Sequence, residues 1–262
     1  MAALIFWTTG STVLNSFAAT VDKKEFFDQA HSKWTAVLRQ NVVQSGAQSR
    51  VKYAKLKLDA GELDSYLRAL EKLSKPDFDQ FTQSQKLAFL INAYNAFTVK
   101  FVIDNYPIAS IKDAGSIFKS PWKKKFISLL GQQRNLDEIE HEMIRPVFGE
   151  PRIHFALVCA SVGCPALRPE AYIAEKLEAQ LEDSARVFLG DQSKNRYLAK
   201  EKKLELSSIF KWYGDDFRKK PGSLEAFVAS RLTSDRDQQE VIKSYKATVS
   251  YLEYDWSLND AK

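Results

Sequence analysis

One short stretch, HFALVCASVGCP (His154–Pro165), concentrates residue types that can do chemistry. It holds both cysteines of the 262-residue chain and one of its three histidines. A thiol beside an imidazole is a nucleophile beside its base. The same groups can ligate zinc, and two thiols can instead pair as a disulfide. The residue types alone leave these three chemistries open.

The spacing within the stretch bears on which groups can meet. Residues 153–159 are mostly apolar and include β-branched side chains, which predicts a buried strand. Side chains alternate between the two faces of a strand, so His154 and Cys159 would lie on opposite faces. Cys164 follows the predicted strand, in a turn that contains Gly163 and ends at Pro165. A dyad within the strand is therefore disfavoured, whereas Cys164 is free to approach His154 or Cys159.

A Cys159–Cys164 disulfide requires the two Cα atoms to approach within about 7 Å. Closing so short a loop removes little chain entropy, worth roughly 2 kcal/mol. Such a bond would fix the shape of a turn more than it would stabilise the fold. A catalytic or redox thiol, inert thiols and metal ligands are the alternatives.

Two asparagines, Asn92 and Asn95, interrupt an otherwise apolar helical segment and share one helix face. Asparagine is a poor helix former because its amide competes for backbone groups. A buried amide must find partners. These side chains would either hold an irregular loop by its backbone or line a pocket and bind a substrate carbonyl.

A second histidine, His141, lies in a charged helical segment. It is four residues from both Asp137 and Arg145, so these three share one face, and Glu140 points elsewhere. An acidic partner raises the basicity of a histidine and orients it. His141 is therefore a general-base candidate, although surface ion pairs on a helix give the same pattern.

Other chemistries find little support. Neither H-x-x-x-H nor H-E-x-x-H spacing occurs, so we predict no metal site and no cofactor. The Ser161-Val162-Gly163 turn lacks the leading glycine of a serine-hydrolase elbow. His31 lies on an ordinary amphipathic helix, outside any predicted site.

The elements that must position these groups are mostly helical. The strongest helix spans residues 84–106, is apolar nearly all round and should be buried, with Ser84 as its N-cap. Helices are predicted at 21–42, 63–73, 136–145, 169–189, 207–214, 224–232 and 238–245, and strands at 51–56, 126–130, 153–159, 197–198, 204–206 and 248–252. With no repeat or linker, the pattern predicts an α+β fold: a single helix-rich domain with a small, mostly antiparallel sheet.

The composition and the first residues bear on partners and location. The net charge of +5 is mild and no nucleic-acid-binding module is present, so we predict no nucleic-acid partner. Residues 1–19 carry no charge and end in small residues, which predicts a signal peptide although a basic start is missing. No later segment suits a transmembrane helix. The expected mature part is residues 20–262, periplasmic or secreted, where cysteines meet oxidising conditions.

Five motifs together resemble a known family. LAFLINAYNAFTVKFV, LDEIEHEMIR, HFALVCASVGCPALRPEAY, SSIFKWYGDDF and YLEYDWSLN occur in order across residues 85–259. They are similar to the family catalogued as domain of unknown function 547, whose bacterial members are commonly small exported proteins. The resemblance implies a family-like core at 85–259 but brings no established reaction.

The signature residues that the resemblance implies are mostly polar, although most lie in apolar segments. Because polar burial is costly unless satisfied, we expect one buried polar site built from separate elements. The residues are Asn92, Tyr94, Asn95, Glu140, His141, His154, Cys159, Cys164, Pro165, Arg168, Asp255 and Trp256.

Two functions fit this expectation. In the first, a thiol of Cys159 or Cys164 attacks an amide or ester with His154 or His141 as base and Glu140 in the catalytic set, as in a hydrolase or acyltransferase. The substrate, a small molecule or peptide, would be held by Asn92, Tyr94, Asn95, Arg168, Asp255 and Trp256. In the second, the cysteines are bridged and the module binds a ligand or partner without catalysis. The oligomeric state stays open.

Overall fold

The computed structural model describes residues 26–115, 120–219 and 222–261. The predicted signal peptide, residues 1–19, lies outside them. Helices dominate and the strands form small separate sheets, so the predicted α+β class is confirmed. The predicted small sheet is distributed over two hairpins and one three-stranded sheet.

The helix α5 (Gln83–Asn105) is the centre of the larger apolar cluster. Thr82 and Gln85 form a reciprocal capping box at its start, so the N-cap lies two residues before the predicted Ser84. By length and composition α5 could cross a membrane. However, 89% of its most apolar window is buried inside the protein. It is therefore the core helix, apolar all round because other elements surround it.

The elements before α5 pack around it. They are α1 (Ser32–Asn41), the hairpin β1 (Val42–Ser45) and β2 (Gln48–Val51), α2 (Tyr53–Leu58), α3 (Gly61–Lys72) and α4 (Lys75–Asp79). The predicted strand at 51–56 is wrong beyond Val51, because Tyr53 and Leu56 are buried at helical spacing on α2. The predicted first helix begins at Ser32.

After α5 the chain forms the predicted hairpin, β3 (Ile127–Leu129) and β4 (Gln132–Arg134). A helical stretch follows as α6 (Leu136–Glu138), a π-helical turn (Ile139–Ile144) and α7 (Arg145–Phe148). π-Helical turns are rare and frequently occur at functional sites. The helix predicted here is confirmed, but its middle part is a π-helical turn, which holds more residues per turn than an α-helix.

The predicted strand at 153–159 is wrong. Pro151–Phe155 forms a 3-10 turn, and the chain then continues without regular structure. The side chain of Asn95 supplies partners that a sheet would otherwise give: its Nδ2 donates to the Ala156 carbonyl at 2.8 Å and its Oδ1 accepts from the Val158 N–H at 2.9 Å. The backbone is satisfied without a neighbouring strand.

The remaining elements form a second apolar cluster. They are α8 (Leu177–Gly190), β5 (Arg196–Leu198), β6 (Lys203–Ser207), α9 (Ser208–Trp212), α10 (Gly214–Lys219), α11 (Leu224–Leu232), α12 (Arg236–Lys243) and β7 (Thr248–Leu252). The strands β5 and β6 are antiparallel, whereas β7 pairs parallel to β6. The helix predicted at 169–189 begins only at Leu177.

The segment after β7 ties distant parts together by backbone hydrogen bonds. The Val162 N–H donates to the Ser257 carbonyl and the Gly163 N–H to the Asp255 carbonyl, each at 2.8 Å. Asn259 bonds further back, to Ala160 and to Val51 of β2. Tyr254 packs against both apolar clusters, so this segment closes the seam between them.

Candidate functional site

A cavity of about 180 Å³ opens where the two apolar clusters meet. Both cysteines and two histidines line it, together with two acidic residues and six aromatic rings. The lining residues are Tyr94, Trp122, Asp137, Glu140, His141, His154, Leu157, Cys159, Cys164, Pro165, Ile209, Trp212, Tyr213, Tyr254 and Trp256. Seven of the predicted site residues, together with Pro165 of the signature, therefore meet in one place.

The sulfurs of Cys159 and Cys164 lie at disulfide-bonding distance, with their Cα atoms 6.3 Å apart. Cys159 is half-buried and Cys164 is buried. Three donors surround the inner sulfur: the Cys159 N–H at 2.9 Å, the Tyr254 hydroxyl at 3.1 Å and the Ser161 hydroxyl at 3.5 Å. These three donors can stabilise negative charge that develops on this sulfur.

The loop between the cysteines requires Gly163. A Cβ at this position would lie 2.9 Å from the Asp255 carbonyl oxygen and 2.9 Å from Cε1 of Tyr254. Only a glycine therefore allows residues 254–255 to pack against this turn, and this contact holds Tyr254 beside the sulfurs.

His154 is buried and is oriented by a carboxylate that the sequence analysis missed. Its Nε2 lies 2.9 Å from Oδ2 of Asp216, and Nε of Arg145 donates to the same oxygen at 2.7 Å. The hydrogen bond to His154, reinforced by Arg145, holds the pKa of Asp216 well below its usual range. Asp216 is therefore ionised at neutral pH.

The imidazole of His154 is neutral near pH 7. Burial lowers the pKa of His154, against the raising effect of Asp216. Since an ionised carboxylate only accepts, we assign the proton to Nε2, which leaves Nδ1 as an acceptor. The ring stacks on Tyr213 with centroids 3.9 Å apart, which further fixes its plane.

Glu140 and His141 both line the cavity, contrary to the expectation that Glu140 points elsewhere. They lie on the π-helical turn, where the extra residue per turn rotates side chains relative to α-helical spacing. Oε1 of Glu140 lies 4.0 Å from Nδ1 of His154. Arg145 donates to Nδ1 of His141 at 2.9 Å, so this nitrogen is an acceptor already in use.

Asn92 and Asn95 hold loops by their backbone and do not line the cavity. Asn92 donates to the Tyr172 carbonyl at 2.7 Å and accepts from the Tyr172 N–H at 3.0 Å. Asn95 binds residues 156 and 158 in the same way. Each amide therefore holds a loop by one donated and one accepted hydrogen bond. The amide of Asn95 positions the segment between His154 and Cys159 in this way.

Arg168 and Asp255 also lie outside the cavity lining. Arg168 pairs with Asp183 and with Glu170, the latter at 3.2 Å. The carboxylate of Asp255 accepts from the Ser257 N–H at 2.9 Å and so shapes its own turn. Tyr94 and Trp256, in contrast, contribute to the cavity wall.

Several residues of the site escaped the sequence analysis: Tyr213, Tyr254, Trp212 and Trp122 line the cavity, and Asp216 contacts His154 without lining it. Asp216, Tyr213 and Trp212 all belong to the motif SSIFKWYGDDF. The high proportion of aromatic and acidic residues in this motif was the sequence signal that could have indicated a contribution to the site. Within residues 26–115, 120–219 and 222–261, no group of three or more His, Cys, Asp or Glu residues has a metal-binding arrangement.

Comparison with known proteins confirms the resemblance over part of the chain. Residues 78–189 match the family model described as "Protein of unknown function, DUF547". The matched segment is less than half of the chain and includes α5, the π-helical turn and both cysteines. No curated protein and no solved structure matches the chain. The match assigns no reaction.

Proposed function

We propose that the protein is a thiol-dependent hydrolase or acyltransferase that acts on an amide or ester. The observation that carries this proposal is the His154–Asp216 hydrogen bond in the wall of the cavity that also holds both sulfurs. Here a base oriented by a partly buried carboxylate shares a cavity with two sulfurs, and an oriented base beside a nucleophile is the arrangement that activates cysteine and serine.

The reaction begins with reduction of the Cys159–Cys164 bond by a dithiol, which is oxidised to its own disulfide. Cys159 is the nucleophile because it is the more exposed of the two cysteines. Nδ1 of His154 takes the thiol proton, and the thiolate attacks the carbonyl carbon. The carbon–nitrogen or carbon–oxygen bond then breaks, and the leaving group takes the proton from His154.

The resulting thioester on Cys159 passes its acyl group to water in a hydrolase or to an amine in an acyltransferase. Burial raises the pKa of Tyr254, with the Glu140 carboxylate adding to the effect. The phenol therefore keeps its proton at neutral pH. Its oxygen lies 3.1 Å from Sγ of Cys159, where it can donate to the developing oxyanion.

The test uses the full chain after reduction and measures p-nitrophenyl acetate turnover and iodoacetamide labelling of the native protein. We expect Cys159→Ser to abolish turnover and labelling at residue 159, so that only Cys164 can still be labelled, and His154→Gln to reduce both turnover and labelling. The matched variant His141→Gln should have a smaller effect, because Arg145 already occupies Nδ1 of His141. Absence of native-state labelling at either cysteine after reduction would refute the proposal.

A second candidate is a non-catalytic module that binds a ligand or partner, with Cys159–Cys164 as a structural disulfide. The observation in its favour is that the two sulfurs lie at bonding distance in a loop held by the backbone of residues 255–259. It requires a native mass two hydrogens below that of the reduced chain. It also requires binding that is unaffected by His154→Ala.

We further propose that the protein is exported to the periplasm or beyond and loses residues 1–19. The support is the uncharged, small-residue ending of that segment. Amino-terminal sequencing of the protein from periplasmic and cytosolic fractions tests this. A protein that keeps residues 1–19 and stays in the cytosol would refute it.

A further inference from the structure

The cavity has an acidic interior although the chain as a whole carries a net charge of +5. Two carboxylates, Asp137 and Glu140, line it, and no lysine or arginine of the described ranges does. Glu140 is 7% exposed. Within the part of the chain that the structure describes, neither carboxylate forms an ion pair with a lysine or arginine. The third carboxylate nearby, Asp216, is already neutralised by Arg145.

His154 does not supply the missing positive charge, because burial lowers its pKa. Nδ1 of His141 faces the Arg145 guanidinium at 2.9 Å. A buried carboxylate without a cationic partner is costly. The cavity therefore favours a ligand that brings a positive charge.

The walls around these carboxylates are aromatic. The rings belong to Tyr94, Trp122, Trp212, Tyr213, Tyr254 and Trp256. Four of them form a chain of contacts from Trp122 through Trp256 to Trp212 and Tyr254, with centroids 4.5–5.8 Å apart. Aromatic faces attract cations, most strongly where water is excluded, and cages of such rings recognise quaternary ammonium groups.

The ring cluster already holds one ammonium group. Nζ of Lys112 lies 3.6 Å from the centroid of Trp256, although Lys112 does not line the cavity. The nearby carboxylates also affect the pKa values of the tyrosines that line the cavity. Burial raises the pKa of Tyr94 well above its usual value, and Glu140 and Asp137 raise it further. The pKa of Tyr213 is raised by burial and by Glu140, which acts both through its charge and through a hydrogen bond to the phenol.

The size of the cavity limits what enters. Pockets that enclose a drug-sized ligand measure roughly 300–1,000 Å³. A cavity of about 180 Å³ therefore takes an end group rather than a whole molecule. We propose that this end group is an organic ammonium, held by Glu140 and Asp137 within the aromatic wall. As a statement about the substrate, this rests on the proposed thiol-dependent function and specifies an amide or ester that bears an ammonium group.

The test measures binding to the oxidised full chain, which has no free thiol, by calorimetry and tryptophan fluorescence. Choline and butylamine are the cationic probes, and 3,3-dimethyl-1-butanol is the uncharged analogue of choline. We expect choline or butylamine to bind at least about tenfold more tightly than the alcohol. Which of the two binds better distinguishes a quaternary from a primary ammonium.

Variants locate the site. Glu140→Gln should weaken binding of the cationic probe at least about tenfold. Glu175→Gln, an exposed glutamate outside the cavity, should leave binding unchanged. Should Glu140→Gln fail to fold, Asp137→Asn serves the same purpose, since Asp137 is only half-buried.

The outcomes separate this inference from the proposed function. Equal binding of choline, butylamine and the alcohol, or binding of none at millimolar concentration, would overturn the inference even if the reduced protein cleaves esters. Selective ammonium binding by a chain that never turns over an ester after reduction would support the inference and refute the thiol-dependent function.

Discussion

The hydroxyl of Tyr254 lies 3.1 Å from the sulfur of Cys164, and Tyr254 comes 90 residues later in the chain. The same oxygen is 3.1 Å from the sulfur of Cys159. One phenol therefore contacts both sulfurs. When an outside thiol attacks the more exposed Cys159, Cys164 leaves as a thiolate that Tyr254 can stabilise.

Tyr254→Phe should therefore slow reduction of the Cys159–Cys164 bond by dithiothreitol by roughly tenfold, the equivalent of losing part of a hydrogen bond to an anion. The rate is read from the mass shift after rapid alkylation. Tyr251→Phe is the control, because Tyr251 lies on β7 and is 38% exposed. Equal rates for Tyr254→Phe and the wild type would show that the phenol does not assist the leaving sulfur.

Asp216→Asn should change the proton position on His154. An amide can donate to Nε2, which would move the imidazole proton to Nδ1 and remove the base. We expect ester turnover by the reduced protein to fall by roughly 10²–10⁴-fold. Loss of the charged hydrogen bonds should cost about 1.5–3 kcal/mol of unfolding free energy, measured in urea.

Asp215→Asn is the matched control, because that carboxylate is exposed and pairs only with Arg218 among the described residues. Equal ester turnover by Asp216→Asn and Asp215→Asn would contradict the assigned role of the His154–Asp216 pair.

Stability should fall on acidification, with His31 as one identified cause. His31 is buried, and its Nδ1 shares a hydrogen bond of 2.7 Å with the Tyr66 hydroxyl. Burial lowers the pKa of His31 from 6.5 to about 4. A folded pKa below the unfolded one means that the unfolded chain binds the proton first. The stability is therefore intact above about 6.5 and decreases as pH falls towards about 4.

Over that interval the loss from His31 amounts to roughly 3 kcal/mol. Urea unfolding at a series of pH values should show a shallower decline for His31→Gln, which keeps a hydrogen-bonding group but does not titrate. Parallel curves for the variant and the wild type would place the pH dependence elsewhere.

Asn95→Ala should destabilise the fold by about 1–3 kcal/mol for each of the two backbone groups it leaves unpaired. Those groups are the carbonyl of Ala156 and the N–H of Val158. Asn105→Ala on the same helix is the control. Its amide donates to the Phe101 carbonyl one turn earlier, so its loss should cost about 1 kcal/mol or less. Equal costs for both variants would refute the bracing role.

Gly163→Ala should displace residues 254–255, because the added Cβ would lie 2.9 Å from the Asp255 carbonyl. We expect a lower melting temperature and a changed tryptophan spectrum, since Trp256 follows directly. Gly190→Ala is the control: nothing lies within 4 Å of the position that its Cβ would take and its φ is not positive, so its stability should be equal or slightly higher. A wild-type spectrum for Gly163→Ala would show that the turn can yield.

Long periodic elements were predictable from the sequence, and the irregular ones that build the site were not. The apolar run of α5 and the hairpin at β3 and β4 follow from spacing alone. Residues 153–159 have the composition of a strand, yet a side-chain amide replaces the sheet partner. This replacement of backbone partners by a side chain depends on Asn95, about 60 residues earlier, so the composition of residues 153–159 cannot reveal it.

The same reason explains the site. Cysteines and histidines are conspicuous by type, so the sequence singled out His154, Cys159 and Cys164, which line one cavity. Asp216 is one carboxylate among many, and only the fold distinguishes it. Glu140 was placed on the wrong face because α-helical spacing does not apply to a π-helical turn.

Backbone hydrogen bonds join residues 255–261 to Val51, Ala160 and Gly163, and they can form only late in the synthesis of the chain. Synthesis proceeds from the amino terminus, so the ribosome releases these residues after every other part of the described chain. Until then the two thiols lack the tyrosine and tryptophan that enclose them. The two cysteines therefore reach the surroundings described here only after the carboxy-terminal segment has been made and has folded back onto them.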